Sequence, residues 1–303
     1  MPNTVPFPAK VRDWIAHNLS RGVAPSAIVN ALIANGSVSE VAVAMVDAVS
    51  AALRYCMEPP GETLDLGASP MTYTVDPLRV PEVTRIRAGD RETRILMRLN
   101  RPAAVLLDEF LDDEECEALI ALAQPRLVRS TIVDPITGRD VVAGHRSSDG
   151  MFFRRGETAL IERIEARIAL LTGRPADHGE GLQMLHYETG AEVTPHFDYL
   201  MPGNEFNRAS VARNGQRVGT MLMYLNDVEA GGETVFPQCG LSILPRRGQA
   251  FYFEYGNQRG QSDPWSLHAS QPVRAGEKWL AAKWIRTQRF AARGEVPEPA
   301  MTM

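Results

Sequence analysis

From about residue 181 the chain becomes a succession of short, strand-like runs cut by turns, and this texture limits the possible folds more than any other feature. The runs are LQMLHYE, TPHFDYL, TMLMYLN, TVFPQ, QAFYFEY, SLHAS and KWLAAKWIR. Each is shorter than an ordinary helix. Turn residues separate them at Asn226-Asp227, Gly231-Gly232 and Arg247-Gly248. Strands joined by such turns pair antiparallel, so this half predicts an all-β barrel or a double-sheet roll.

The first half has a helical period instead. In KVRDWIAHNLSRG, Val11, Trp14, Ile15 and Leu19 fall on one face, with Gly22 as the stop. PSAIVNALIANG places Pro25 near a helix start and Gly36 just past its end. SVSEVAVAMVDAVSAALRY opens with a Ser37/Glu40 capping-box spacing. A small helical module is therefore predicted over residues 1–55. The prolines at 59, 60, 70, 77 and 81 predict a connector over 56–98, with one strand near TRILMRLN. Two more helices are predicted in LDDEECEALIALAQPRL, capped by Asp112 or Asp113, and in GETALIERIEARIALLTG, stopped by Gly173. Helices ahead of strands make the chain α+β: helices bracing one sheet of a β-roll, within a main domain at 99–292 and a tail at 293–303.

Composition excludes several function classes. The formal net charge of −5 gives no bulk attraction to nucleic acid. Three cysteines without a CxxC spacing argue against a disulfide framework and fit a reducing compartment. The start shows no signal-peptide pattern, and no apolar run approaches the roughly 18–20 residues that span a bilayer. A cytoplasmic location, with neither membrane nor nucleic-acid partners, is the expectation.

Chemistry enters with TPHFDYL. His196 and Asp198 lie two apart, the spacing that puts both on one face of a strand. That pair alone is weak evidence, since an exposed strand carries HxD without a metal. His268, in SLHAS, would complete a face of two imidazoles and one carboxylate. Such a set leaves three positions of an octahedral ion open and suits Fe(II); zinc, with similar ligands and one open position, is the other ion to weigh. Lys278 follows His268 by ten residues. With Gly276 in the turn, PVRAGE reads as a hairpin centred near Val273, setting His268 and Lys278 opposite each other with Cβ atoms about 5 Å apart. An ammonium there would meet the far carboxylate of a dicarboxylate chelating the ion. Lys278, Leu280, Ala282 and Trp284 share one strand face, whose small members leave room for a bound small molecule.

These residues, with the blocks VLLDEFLDDEECEALIALAQPRLVRS, RSSDGMF, LHYETGAEVTPHFDYL, RVGTMLMYLNDVEAGGETVFP and SLHASQPVRAGEKWLAAKWIR, resemble the 2-oxoglutarate/Fe(II) dioxygenases of the prolyl 4-hydroxylase type. The resemblance spans roughly residues 100–290 and not residues 1–90. It implies a double-stranded β-helix, jelly-roll or cupin-like, as the core. It implies Fe(II) held by His196, Asp198 and His268, with 2-oxoglutarate and O2 as co-substrates and ascorbate as a candidate further cofactor. Lys278, Tyr187 and Thr234 would bind 2-oxoglutarate beside Trp284, with His196, Asp198, His268 and Lys278 as the catalytic set. Arg146 and Ser148 in HRSSDG would fall in a loop over the substrate, with Arg217 on the substrate side. The implied reaction is hydroxylation of an unactivated C–H, at position 4 of peptidyl proline, releasing succinate and CO2.

Alternatives stand beside each reading. Tyr187 and Trp284 also suit an ordinary core, Thr234 suits any strand, and Arg146 and Arg217 suit a solvated rim. The substrate could be a free amino acid or another small molecule. Rival classes are a zinc-dependent hydrolase, for which no HExxH-type base is visible, and a non-catalytic 2-oxoglutarate-binding module. His186, two before Glu188, imitates the ligand pair without a downstream partner. Residues 201–217, MPGNEFNRASVARNGQR, have the composition of a mobile substrate-contacting loop.

Overall fold

The computed structural model describes residues 4–129, 132–133, 140–141, 147–202 and 205–291. They form two compact units: one holds the chain up to residue 74 together with 257–264, and the other holds the rest.

In the first unit β1 (Thr4–Pro6), α1 (Ala9–Ser20), α2 (Pro25–Ala34), α3 (Ser39–Arg54) and β2 (Thr63–Asp65) follow in order, and β1 pairs antiparallel with β2. Phe7, Ile15, Ile28, Leu32, Val46 and Val49 are the buried side chains between them. Gly22 and Gly36 end the first two helices in the left-handed region expected of such stops. Trp14 does not join the buried face; it is 41% exposed. The Ser37/Glu40 capping box does not form. Val38 is the N-cap, without a side-chain hydrogen bond, so Glu40 lies in the first turn, too early to reach back to a cap N–H. Its charge still complements the helix dipole.

The proline-rich stretch carries more strand than expected. Besides β2, it contains β3 (Arg85–Ala88) and β4 (Arg91–Leu99), which pair as a hairpin around Gly89-Asp90. Arginines and glutamate dominate these strands, so their hydrophobic alternation is faint. The prolines at 59–81 all precede the hairpin.

The second unit continues with β5 (Ala103–Asp108), α4 (Asp113–Ala123), β6 (Val128–Arg129), β7 (Ile132–Val133), β8 (Asp140–Val141), β9 (Asp149–Phe153) and α5 (Ala159–Thr172). Asp112 caps α4 in a full capping box with Glu115, and Gly173 closes α5 in the left-handed conformation. Next come β10 (Leu182–Tyr187), β11 (Val193–His196), α6 (Glu205–Asn214), β12 (Arg217–Tyr224), β13 (Ala230–Gly231), β14 (Thr234–Phe236), β15 (Leu241–Ile243) and β16 (Ala250–Glu254). β17 (His268–Ser270), β18 (Val273–Ala275) and β19 (Lys278–Arg286) complete the order.

Nine strands form one antiparallel sheet in the order β3-β4-β5-β16-β12-β19-β10-β9-β6, and β11-β17-β14-β15 form a second sheet of four. The strand period of two sorts the large sheet into two faces. Leu182, Met184, Met221, Met223 and Ala281 pack outward in one core with Leu119 and Cys116 of α4 and Ile161, Ile164 and Ile168 of α5. Arg167 of α5, fully buried in this layer, donates to the Phe110 carbonyl at 2.6 Å and to both Glu115 oxygens at 2.8 and 2.9 Å. Residues of the opposite parity face the small sheet. Phe251 and Phe253 meet Phe236 of β14 at ring-centroid distances of 5.4 and 5.0 Å. The architecture is thus mixed α+β, a large antiparallel sheet braced by helices.

Two expectations fail here. His268 and Lys278 are not hairpin partners: β18 leaves to pair with β13, β17 belongs to the small sheet, and β19 lies in the centre of the large one. The turn at Gly276 therefore carries the chain from one sheet to the other rather than back along itself. The stretch 201–217 also contains α6, not loop alone. That helix has no apolar stripe to announce it. Tertiary bonds hold its ends: Asn207 Nδ2 donates to the Met201 carbonyl, and Arg286 Nη1 to that of Gly215, both at 2.8 Å.

Candidate active site

Three side chains converge between the two sheets. In the β11–β17 pairing His196 lies directly opposite His268, so both imidazoles emerge on one face, with ring centroids 4.4 Å apart. Asp198 follows two residues after the end of β11 and turns its carboxylate toward both: Oδ1 is 3.8 Å from His196 Nε2, and Oδ2 is 3.7 Å from His268 Nε2. One ligand atom from each of the three lies within 4.8 Å of the others, the sole such cluster among the described residues.

The hydrogen bonds decide what these groups offer. Nδ1 of His196 lies 2.9 Å from the Thr194 carbonyl, and Nδ1 of His268 lies 2.9 Å from the Ser266 carbonyl. A carbonyl only accepts, so each Nδ1 carries a proton, and Nε2 is the nitrogen each ring turns toward Asp198. The donor set therefore fits a divalent ion, and two imidazoles with one carboxylate on one side leave further positions open.

Asp198 is almost wholly buried. Burial pushes its pKa up, but His268, His196, Arg217 and a hydrogen bond from Thr220 outweigh that and hold it below the usual carboxylate value. Thr220 Oγ1 donates to Oδ2 at 2.7 Å and lies 3.0 Å from the Tyr255 hydroxyl. A Thr220→Val enzyme keeps the shape but loses the donor that orients the carboxylate; its Fe(II) affinity is expected to fall about 10- to 100-fold, as measured by anaerobic metal titration.

A cavity of about 880 Å³ runs past this cluster. At one end is Lys278, fully buried, opposite Tyr187 in the β10–β19 register. Its Nζ donates to the Gly232 carbonyl at 2.6 Å and to Ser270 Oγ at 2.9 Å, and it lies over the rings of Tyr187 and Tyr224 at 5.3 and 5.8 Å. Burial pushes its pKa down to about 7, with Glu233 opposing. Gly232 has positive φ, and a Cβ there would stand 3.3 Å from Lys278 Cδ, so glycine leaves the stem its path. Thr234 accepts from the Tyr224 hydroxyl at 2.9 Å and borders the same space.

At the other end Arg217 stacks on Trp284, its guanidinium carbon 3.7 Å from the ring centroid. Glu180 grips that arginine through Nε at 2.5 Å and Nη2 at 2.9 Å, and accepts from Arg286 Nε at 2.7 Å. Arg217 is thus a held wall of the cavity rather than a solvated rim charge. Lys278, Leu280, Ala282 and Trp284 line the cavity as one strand face.

One residue expected on the substrate side lies elsewhere. Ser148 is fully buried just before β9 and does not line the cavity. Arg146 falls outside the described residues. His186 lies away from the metal cluster, stacked on Trp279 at 4.3 Å and 2.7 Å from a Glu277 oxygen. Sequence reading missed Thr220, Tyr224, Ser270, Glu180 and Arg286. Each is an isolated polar residue in a strand or connection; the signal open to it was inward parity, since Thr220 and Tyr224 share the face of Leu222, and Ser270 that of His268.

The chain is similar to known proteins. Residues 182–286 match the 2OG-Fe(II) oxygenase superfamily. Probable prolyl 4-hydroxylase 3 of Arabidopsis thaliana is 44% identical over 223 residues, covering 67% of this chain and 75% of the relative. Prolyl 4-hydroxylase 5 of the same plant is 43% identical over 208 residues, 62% of this chain and 70% of the relative. Among solved structures, the viral collagen prolyl hydroxylase of Paramecium Bursaria Chlorella virus-1 in its 2-oxoglutarate complex aligns with a TM-score of 0.47 at 26% identity, covering 60% of this chain and 94% of that one. Identity of this level over most of a relative's length reflects common descent, and the chain belongs to the prolyl 4-hydroxylase family of Fe(II)- and 2-oxoglutarate-dependent dioxygenases.

Proposed function

We propose that this dioxygenase hydroxylates C4 of proline residues within a polypeptide, with 2-oxoglutarate and O2 consumed and succinate and CO2 released. The observation that carries the reading is one cavity holding the His196–Asp198–His268 cluster, a buried ammonium at one end and a stacked Arg217–Trp284 wall at the other. The similarity to prolyl 4-hydroxylases supports proline as the residue attacked. Within it, the three ligands would hold Fe(II), which when bound with 2-oxoglutarate supplies the oxidising power to functionalise an unactivated C–H bond.

The protein's own groups have distinct tasks. The Thr194 and Ser266 carbonyls hold the Nδ1 side of His196 and His268, leaving Nε2 as the atom each ring would offer the ion. Thr220 fixes the rotation of the Asp198 carboxylate. Lys278 would pair with the distal carboxylate of 2-oxoglutarate, helped by the hydroxyls of Thr234 and Tyr187, which border the same end. Trp284 and Arg217 would flank the polypeptide, and Arg146 would belong to the segment over it, with Ser148 buried behind that segment. Tyr187, Leu222 and Leu280, buried side chains lining the cavity, would limit water around the reacting carbon. We also assign the core as a double-stranded β-helix, residues 99–292 as the catalytic domain and 1–55 as a separate helical module. All three cysteines are free, which supports work in a reducing compartment. No described helix is long and apolar enough to cross a membrane.

Lys278 makes the reading pH-dependent. Its pKa lies at about 7 in the ligand-free cavity, so the ammonium is lost as pH rises through that value. The dianion binds the protonated form, so the KM for 2-oxoglutarate is expected to rise roughly tenfold per pH unit above neutrality, with proton uptake on binding. Calorimetry in buffers of different ionisation enthalpy measures that uptake directly.

The test of the function is incubation with Fe(II), 2-oxoglutarate, O2 and proline-containing peptides. Succinate release coupled to a one-oxygen mass gain and 4-hydroxyproline on hydrolysis is expected; a run without ascorbate shows whether it sustains repeated turnover. Succinate release stimulated only by free amino acids would refute the peptidyl-proline substrate.

A further inference from the structure

The end of the cavity beneath α6 has more positive charge and more hydrogen-bond donors than the protein itself satisfies. The ionisable residues lining the whole cavity, besides the two histidines, are Glu180, Asp198, Arg213, Arg217, Lys278 and Arg286. Asp198 faces the imidazoles, and Lys278 is at the far end with Gly232 and Ser270. What remains is a single carboxylate among three guanidiniums. Both oxygens of Glu180 are already committed to Arg217 and Arg286. Arg213, an exposed side chain at the cavity mouth, has no ionic or hydrogen-bond partner among the described residues, so its charge is met by solvent alone.

The donors point the same way. Asn214 is fully buried, and its Oδ1 accepts the Ala291 N–H at 3.0 Å. That bond fixes the amide's orientation and leaves Nδ2 without a partner. The indole N–H of Trp284 is likewise buried and unpartnered. On α6, Phe206, Ser210 and Arg213 follow at i, i+4 and i+7, one helix face, and all three line the cavity. Arg286 anchors that face, reaching Ser210 Oγ at 3.3 Å and the Gly215 carbonyl at 2.8 Å. A peptide carbonyl could occupy one orphaned donor but would leave the charge uncompensated. A carboxylate supplies both the charge and four lone-pair sites.

We propose that the α6 end of the cavity, formed by Arg213, Asn214, Trp284 and Arg286, is a carboxylate subsite that selects polypeptides carrying an acidic group near the target proline. This rests on the peptidyl-proline reading and names the substrate class within it. The carboxylate comes from an Asp or Glu side chain or from the chain terminus, and α6 is the element that reads it.

The test compares proline peptides bearing Glu or isosteric Gln at successive positions on either side of the proline, each with a free or an amidated C-terminus. Two readouts are taken: kcat/KM from succinate release, and anisotropy of labelled peptides on the metal-free protein. One Glu position or the free terminus is expected to be preferred about tenfold over its neutral counterpart, in both readouts, with the preference shrinking as salt is added. Arg213→Gln should bring the ratio toward one, and Arg213→Glu should shift it toward Lys-bearing peptides. Equal use of acidic and neutral peptides overturns the subsite, as does a preference that survives both Arg213 substitutions, or failure of every peptide to bind. If acidic peptides bind selectively but no peptide is hydroxylated, the subsite stands and the reaction assigned to it falls.

Discussion

An enzyme carrying His268→Ala is expected to lose turnover at least about a thousandfold, a deficit of roughly 4 kcal/mol in transition-state stabilisation. The reason is geometric. His268 is positioned by its cross-strand register with His196 and oriented by the Ser266 carbonyl. Alanine leaves one imidazole and one carboxylate, too few to hold the ion with open positions in a fixed direction. The ring also stacks on Phe236 at 5.3 Å and meets Phe253 edge-on at 5.1 Å, so some packing is lost as well. Two measurements separate these effects. Anaerobic Fe(II) titration should show affinity reduced by at least about two orders of magnitude, whereas thermal unfolding of the metal-free protein should fall only by the few degrees expected for about 1–3 kcal/mol. A variant that bound Fe(II) normally and still released succinate would remove His268 from the ligand set.

Lys278→Met is expected to raise the KM for 2-oxoglutarate about 100- to 1000-fold, the scale of leaving a buried carboxylate unpaired. Methionine has nearly the same length, so the loss reads the charge and its hydrogen bonds rather than a cavity. Stability should move the other way. A fully buried ammonium whose pKa has fallen to about 7 opposes folding at every pH below the ordinary lysine value, because the unfolded chain holds the proton more tightly. The methionine variant is therefore expected to unfold at no lower temperature than the wild type when neither contains ligand. Adding 2-oxoglutarate to the metal-loaded proteins should stabilise the wild type further and leave the metal-loaded variant unmoved. An unaltered KM would place the co-substrate elsewhere in the cavity.

The His196–Asp198–His268 cluster was legible because its chemistry is encoded by residue type, although Asp198 lies just past the end of β11 and not on the strand face its spacing from His196 suggested. Lys278 was legible too, although by a mistaken route. Its spacing from His268 suggested a hairpin, but the two reach one cavity from different sheets, because β18 diverts to β13 between them. α6 was invisible for the opposite reason. A helix without an apolar stripe gives no periodic signal, and its stability comes from Arg286, more than seventy residues along the chain from its end.

By itself the sequence determined most of the helix ends, such as Asp112 and Gly173, most of the strand runs and the identities of the candidate metal ligands, since capping, alternation and donor chemistry are properties of neighbouring residues. Only the tertiary structure decided which strands pair, and so that His196 faces His268, that Lys278 faces Tyr187, and that Glu180 is shared by two arginines. Those matters depend on register between segments far apart in the chain, and a shift of one residue would turn every side chain to the opposite face of its sheet.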